Sequence, residues 1–158
     1  MGRELVVAWL GRHRRDEWES LCGRYRRRVE PLRQIRDLPV LAKAGGPEPV
    51  RQRAEGEALL AALPEPSWTI ALDRRGKAVS SKQLARKLAK LNEEWPHAVC
   101  FLVGSDLGLS EEVLVASRER LSFGPITLPH ELARLVLYEQ LYRALSILGG
   151  IKYHREPL

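Results

Sequence analysis

Ala98-Val99-Cys100-Phe101-Leu102-Val103 is apolar at all six positions and runs straight into Gly104-Ser105-Asp106-Leu107-Gly108. A strand with one face in water alternates apolar and polar residues. A strand that is apolar throughout needs cover on both faces, and in a soluble chain that cover comes from helices on each side of a sheet. The segments around it agree. Upstream, Trp68 to Leu72 is a second buried strand ending at Asp73, followed by a turn, Arg74-Arg75-Gly76-Lys77. Ser80 and Gln83 then form a capping box for a helix from Lys82 to Trp95. Downstream, Ser110 caps a helix whose first turn carries Glu111 and Glu112, both favourable at the positive helix end.

The flanks repeat the alternation. Glu4 to Leu10 is an apolar strand closed by Gly11. Asp16 to Val29 has helical spacing, with Trp18, Leu21, Cys22, Tyr25 and Val29 on one face, and Pro31 stops it. Leu32 to Val40 reads as a strand, Ala44 to Pro49 as a loop, and Pro49 to Leu63 as a helix closed by Pro64 and Pro66. Ser122 to Leu128 is extended, Pro129 suits a first helical turn, and a long apolar helix runs to Gly149-Gly150. Strands alternating with helices predict an α/β fold with a mostly parallel sheet flanked by helices. Nothing divides the chain, so residues 1–158 are read as one domain. Trp18 and Trp68 are assigned to its core.

The composition narrows the class. A chain of 158 residues can bury roughly two thirds of its unfolded surface. It has no apolar run of about 18 residues, so no membrane span is expected. The start, Met1-Gly2-Arg3-Glu4-Leu5, lacks the layout of a signal peptide, and Val6 stands where a myristoylation signal wants Ser or Thr, so the chain reads as cytoplasmic. Cys22 and Cys100 are far apart in unlike contexts, which argues against a disulfide or a metal site. The 26 Lys and Arg exceed the 20 Asp and Glu, giving a formal charge of +6. Arg12, Arg14, Arg15, Arg24, Arg26, Arg27, Arg28, Arg33 and Arg36 crowd one segment. Such a patch suits a polyanion, and it equally suits a plain solvated face.

Three loops follow or extend buried strands: Leu72 to Lys77, Val103 to Gly108, and Phe123 to His130. In open α/β sheets a ligand sits beyond the carboxyl ends of the strands, so these loops are the expected pocket wall. None is a phosphate-binding P-loop and none reads G-x-G-x-x-G. After the last helix comes Tyr153-His154-Arg155, a basic aromatic tail with little packing to do.

Taken together, Leu72-Asp73 with Gly76-Lys77, Gly104 with Gly108, Leu121-Ser122-Phe123, Thr127-Leu128-Pro129-His130, Glu139-Gln140-Leu141-Tyr142-Arg143-Ala144 and Tyr153-His154-Arg155 resemble the SPOUT-class methyltransferases that act on N3 of a pseudouridine in bacterial large-subunit ribosomal RNA. The resemblance covers essentially the whole length. It implies a C-terminal trefoil knot, a homodimer, and S-adenosylmethionine held by Leu72, Gly104 and the stretch Phe123, Gly124, Pro125, Ile126, Thr127 and Leu128. It also implies a catalytic group drawn from Tyr153, His154, Arg155 and His130, with His154 or His130 as base and Arg155 steadying the imidate. The partner is then ribosomal RNA within the large subunit or the whole ribosome, met through Arg24, Arg27 and Arg28 on the polar side of their helix. The last helix, with Leu132, Leu135, Val136, Leu137, Leu141, Leu145 and Leu148, is apolar over more than one face, as a dimer helix would be. One departure stands out. The family usually carries two adjacent glycines where this chain has Gly104-Ser105, and an acid where it has Leu107. A serine forced to positive φ there would cost roughly 1 kcal/mol or more. That departure motivates a rival reading, an RNA-binding or ribosome-associated protein of the same fold that has lost catalysis.

Overall fold

The computed structural model describes residues 3–11, 16–43 and 45–155. Met1, Gly2, Arg12, Arg14, Arg15 and Ala44, all named above, lie outside the described residues. The elements run β1 (Leu5–Leu10), α1 (Asp16–Val29), β2 (Ile35–Val40), α2 (Glu48–Ala62), β3 (Ser67–Ala78), α3 (Ser81–Glu94), β4 (Ala98–Val103), α4 (Glu111–Ala116), β5 (Glu119–Ser122) and α5 (His130–Gly149).

The five strands form one sheet in the order β2-β1-β4-β3-β5, and every pairing is parallel. The continuously apolar β4 lies in the middle of that order, as its composition requires. Period-2 alternation divides the two cores cleanly. Leu5, Val7 and Trp9 of β1, with Val99, Phe101 and Val103 of β4, pack with residues of α1, α3 and α5. Val6, Ala8 and Leu10, with Cys100 and Leu102, face α2 and α4 through Leu59 and Val113. Ser80 and Gln83 make the reciprocal capping box, and Ser110 accepts from the Val113 amide.

Four expectations need correction. β3 does not end at Asp73. It continues to Ala78 through an irregularity at which both Leu72 and Lys77 pair with Leu121. Gly76 allows this, because a Cβ there would stand 2.7 Å from the Arg120 carbonyl carbon. The extended segment placed at Ser122 to Leu128 is a strand only over Glu119–Ser122, and the residues from Phe123 to Pro129 are loop. Leu21 is 36% exposed, and Trp18 and Trp68 are half-buried. The fully internal tryptophan-bearing strand is β1, where Trp9 donates from Nε1 to both carboxylate oxygens of Asp37 at 3.1 Å. Finally, the arginine segment is not one solvated face: Arg33 is buried, Arg36 pairs with Glu4 at 3.0 Å and Arg26 with Glu30 at 3.8 Å.

α5 is fixed near its start by a buried charge network. Arg134 is fully buried and donates to Glu19 of α1 and Asp37 of β2, each at 2.8 Å. Its guanidinium lies 4.0 Å from the centre of the Trp9 ring, and Tyr138 donates to Asp37 as well. Burial alone would pull the Arg134 pKa down, but its two carboxylate partners more than reverse this and raise it.

Candidate active site at the two ends of helix α5

β4, β3 and β5 are neighbours, so their carboxyl ends bring the three suspected loops together. Leu72, Phe123, Gly124, Ile126, Thr127 and Leu128 line a cavity of about 390 Å³ together with Asp73 and Leu107–Leu109. Gly104 and His130 line an adjoining space of about 360 Å³ that shares Leu72 and Leu128 with the first. Pro125 is exposed in the same loop and lines neither space. These are ordinary dimensions for a small-molecule or cofactor site.

The loop walls are held by side chains of moderate polarity. The Ser122 hydroxyl stands between the carbonyls of Arg74 (3.0 Å) and Gly124 (2.9 Å), donates to one of them, and accepts from the Gly124 amide at 3.0 Å. It thereby ties the third loop to the first. Gly104 packs backbone on backbone: a Cβ there would meet the Gly108 carbonyl carbon at 2.7 Å. Ser105 is unstrained, since among the described residues no non-glycine has positive φ. Its Oγ donates to Glu55 Oε2 at 2.7 Å and accepts from the Leu107 amide at 3.2 Å. Gln52 Nε2 donates to the Leu107 carbonyl at 2.7 Å. Thus α2 clamps the second loop at two points, a support that sequence reasoning missed. A clue existed: a polar serine in a glycine position needs a partner, and α2 offered Gln52 and Glu55 one turn apart.

The cavity has one conspicuous acceptor. Asp73 Oδ2 is buried and receives no hydrogen bond, although Arg75 Nη2 stands 3.3 Å away within ion-pair range. Arg75 donates instead to Oδ1, from its amide at 3.3 Å and from Nε at 3.4 Å. A buried carboxylate oxygen without a donor suits a ligand that brings hydroxyl or ammonium hydrogens. The opposite rim is apolar, with Ile126 72% exposed.

The tail lies elsewhere. Tyr153 packs against Tyr142 with ring centres 4.6 Å apart and planes tilted by 58°, and the Arg143 guanidinium sits 4.7 Å over Tyr153 while donating to Glu139 at 2.8 Å. The Glu139 hydrogen bond raises the Arg143 pKa, and burial raises that of Tyr153. His154 Nδ1 is 3.4 Å from Arg143 Nη1. Guanidinium can only donate, so this contact is a hydrogen bond only in the tautomer whose Nδ1 is unprotonated. Arg155 is exposed. Arg28 of α1 lies 5.8 Å over Tyr142, which joins the arginine face of α1 to this cluster; Arg24 and Arg27 are exposed on the same helix.

His130 and the tail are therefore at opposite ends of α5. Twenty residues of helix span about 30 Å. The structure brings together Leu72, Gly104, His130 and most of Phe123 to Leu128, and places Tyr153, His154 and Arg155 apart from them within one chain. Along α5, Leu137, Leu141 and Leu145 are buried, whereas Leu132, Leu135 and Val136 are only half-buried and Leu148 is 42% exposed.

Comparison with known proteins identifies the family. Residues 4–154 match the family described as "Predicted SPOUT methyltransferase". A protein named "Ribosomal RNA large subunit methyltransferase H" from Nitratidesulfovibrio vulgaris (strain DP4) is 35% identical over 157 residues, 98% of this chain and 99% of the relative. Proteins of the same name are 40% identical over 154 residues in Solidesulfovibrio magneticus (96% and 99% of the two chains) and 42% identical over 149 residues in Gluconacetobacter diazotrophicus (92% and 93%). The profile spans nearly the whole described chain and the relatives align end to end, so the chain belongs to the SPOUT methyltransferase family.

Proposed function

We propose that this chain, acting as one domain in the cytoplasm, methylates N3 of a pseudouridine in large-subunit ribosomal RNA, with S-adenosylmethionine as donor. The observation that carries the reading is the cavity walled by Leu72-Asp73, Gly104 to Leu109 and Phe123 to Leu128, with its donorless Asp73 oxygen. The names of its relatives point to the same substrate class. The residues fit the donor: Asp73 can accept from ribose hydroxyls or an ammonium, the half-buried Leu72 and Leu128 can sandwich adenine, and loop backbone can read its edge. S-adenosylmethionine supplies an electrophilic methyl on a sulfonium.

The chain's residues have to align the acceptor nitrogen and take its proton. Alignment by loops that are already fixed supplies much of the rate. His130, on the rim of the cavity, can receive the N3 proton. His154 faces Arg143 through Nδ1 in the free chain. It serves as a base only once Arg143 releases it, and otherwise it joins Tyr153 and Arg155 in stabilising the charge that develops on the pyrimidine oxygens. Because α5 separates tail and cavity, the reading requires a homodimer in which one subunit's tail completes its partner's cavity. The half-buried apolar face of Leu132, Leu135 and Val136 is the surface it would use. Arg24, Arg27 and Arg28, beside that tail, then contact phosphates of the ribosomal RNA. The C-terminal knot belongs to the same proposal. The rival reading of a non-catalytic binder keeps only Leu107 as a motive, because Ser105 is unstrained and its hydroxyl is hydrogen-bonded. The test is incubation of pure protein with methyl-labelled cofactor and large subunits lacking the modification. Label at N3 of a pseudouridine is expected, and no label in the RNA sinks the proposal.

A further inference from the structure

A second concave surface lies outside the cavity described above. Lys77 of β3, Arg120 of β5, and Arg86, Lys87 and Lys90 of α3 line a cleft of about 310 Å³ whose only carboxylate is Glu119. Five cations against one carboxylate leave four positive charges uncompensated. The carboxylate is already committed: Glu119 accepts from Lys87 through one oxygen and from Trp68 Nε1 at 2.6 Å through the other. Lys77, Arg86, Lys90 and Arg120 are exposed, and none of them forms an ion pair among the described residues.

Two features argue that this is more than a solvated edge. β5 is an outer strand of the sheet, and charges on an outer strand guard it against pairing with other chains. That explanation covers Arg120 alone. Arg86, Lys87 and Lys90 sit on α3 at spacings of three and four, where like charges repel one another and weaken the helix. An arrangement that destabilises the free protein is relieved by an anion. The second feature is position: Leu121 lines both the cleft and the cavity, so the two adjoin at β5.

We propose that this cleft is a phosphate-binding groove for the backbone of the substrate RNA, next to the reacting nucleotide and separate from the arginines of α1. The inference rests on the ribosomal RNA reading above. Arg86, Lys90 and Arg120 contact phosphates, while Lys87 stays bound to Glu119 and shapes the groove. Phosphate contacts of this kind fix register without reading sequence.

The test is binding of the full-length protein to large ribosomal subunits lacking the modification, measured by filter retention over a range of salt concentrations. The variant carries Arg86→Gln, Lys90→Gln and Arg120→Gln together; a companion carries Arg86→Lys and Arg120→Lys. Each lost contact removes about 0.7–0.9 from the slope of log affinity against log salt. The neutral variant should bind at least about tenfold more weakly near 0.1 M salt, with a slope reduced by about two units or more. The lysine variant should keep nearly the wild-type slope. Calorimetric affinity for S-adenosylmethionine should stay within about twofold in both, which shows that fold and cavity are intact, since Arg86, Lys90 and Arg120 do not line the cavity. If the wild type binds and methylates subunits while the neutral variant keeps its affinity and slope, the cleft proposal is overturned and the charges merely guard the sheet edge. If the wild type neither binds nor methylates, the RNA reading fails and takes the cleft with it.

Discussion

The two ends of α5 are built in different ways. At its start, Pro129-His130 opens onto the cavity, and four residues later the buried Arg134 is held by the half-buried Asp37 and the exposed Glu19, beside Trp9 and Tyr138. At its end, Tyr142, Arg143, Tyr153 and His154 form a partly exposed stack with one ion pair. The first end is preorganised: a buried charge network and backbone-on-backbone loops fix the shape of the cavity. The second presents donors and rings on a surface that can re-form around a substrate. The contrast teaches that neither end is a complete site, and that about 30 Å of helix separates groups the proposed reaction needs together.

The largest effect is expected from removing the adaptable end. Tyr153→Ala with His154→Ala should lower methyl transfer by about 10²–10⁴-fold, the usual worth of positioned proton-transfer and charge-stabilising groups. Cofactor affinity by calorimetry should change less than about twofold. A parallel loss of cofactor binding would break the comparison, because it would make the tail part of the cofactor cavity instead of a separate, adaptable end.

Next comes the rigid end. Arg134→Met removes one partner from a buried network and strands Asp37, so stability in urea should fall by about 3–5 kcal/mol. A loss under about 1 kcal/mol would mean that the network carries little of the end's rigidity. Smaller again is the clamp from α2. Glu55→Ala with Gln52→Ala removes hydrogen bonds to Ser105 and the Leu107 carbonyl. Each is worth about 1 kcal/mol, so the cofactor dissociation constant should rise by up to about thirtyfold. Turnover at saturating cofactor should stay near wild type, and a large drop in turnover alone would instead give α2 a role in the chemistry.

Much of the frame could be read from the chain. β4 and α1 keep their expected bounds because one is apolar throughout and the other is periodic with a proline stop. The cavity loops were visible because glycine, aspartate and proline at strand ends have few other uses. β5 was displaced in the reading because Glu119 and Arg120 give it the polarity of a loop; its strand character comes from pairing with Ile70 to Leu72, which the local pattern does not encode. The Arg134 network was invisible for a related reason: its hydrogen bonds join residues 97, 101 and 115 positions apart. The separation of tail and cavity is legible in the sequence, as a twenty-residue helix stands between them, whereas the resemblance to a family groups them by function alone.

The smallest effect sharpens the comparison by leaving both ends alone. Cys22 and Cys100 are buried in the two opposite cores, and burial pushes both thiols up to about 11 from 9.0. Both should be neutral and unreactive toward a thiol reagent at pH 8 until urea unfolds the chain. A raised thiol pKa stabilises the fold fully below the unfolded value near 9, and that contribution fades as pH climbs from 9 to 11. Native reactivity at pH 8 would show that the layers between the two ends open readily.

The central claim is that each cavity is served by the other subunit's tail, and a mixed dimer tests it most directly. One partner carries Gly104→Ala, whose Cβ would collide with Gly108 and close the cavity. The other carries Tyr153→Ala with His154→Ala. Each protein alone should be inactive. After co-refolding, half of the dimers are mixed and each holds one intact cavity facing one intact tail, so activity should return to about a quarter of wild type. If the mixture stays as inactive as its components although mixed dimers form, tail and cavity act within one chain and the account is wrong.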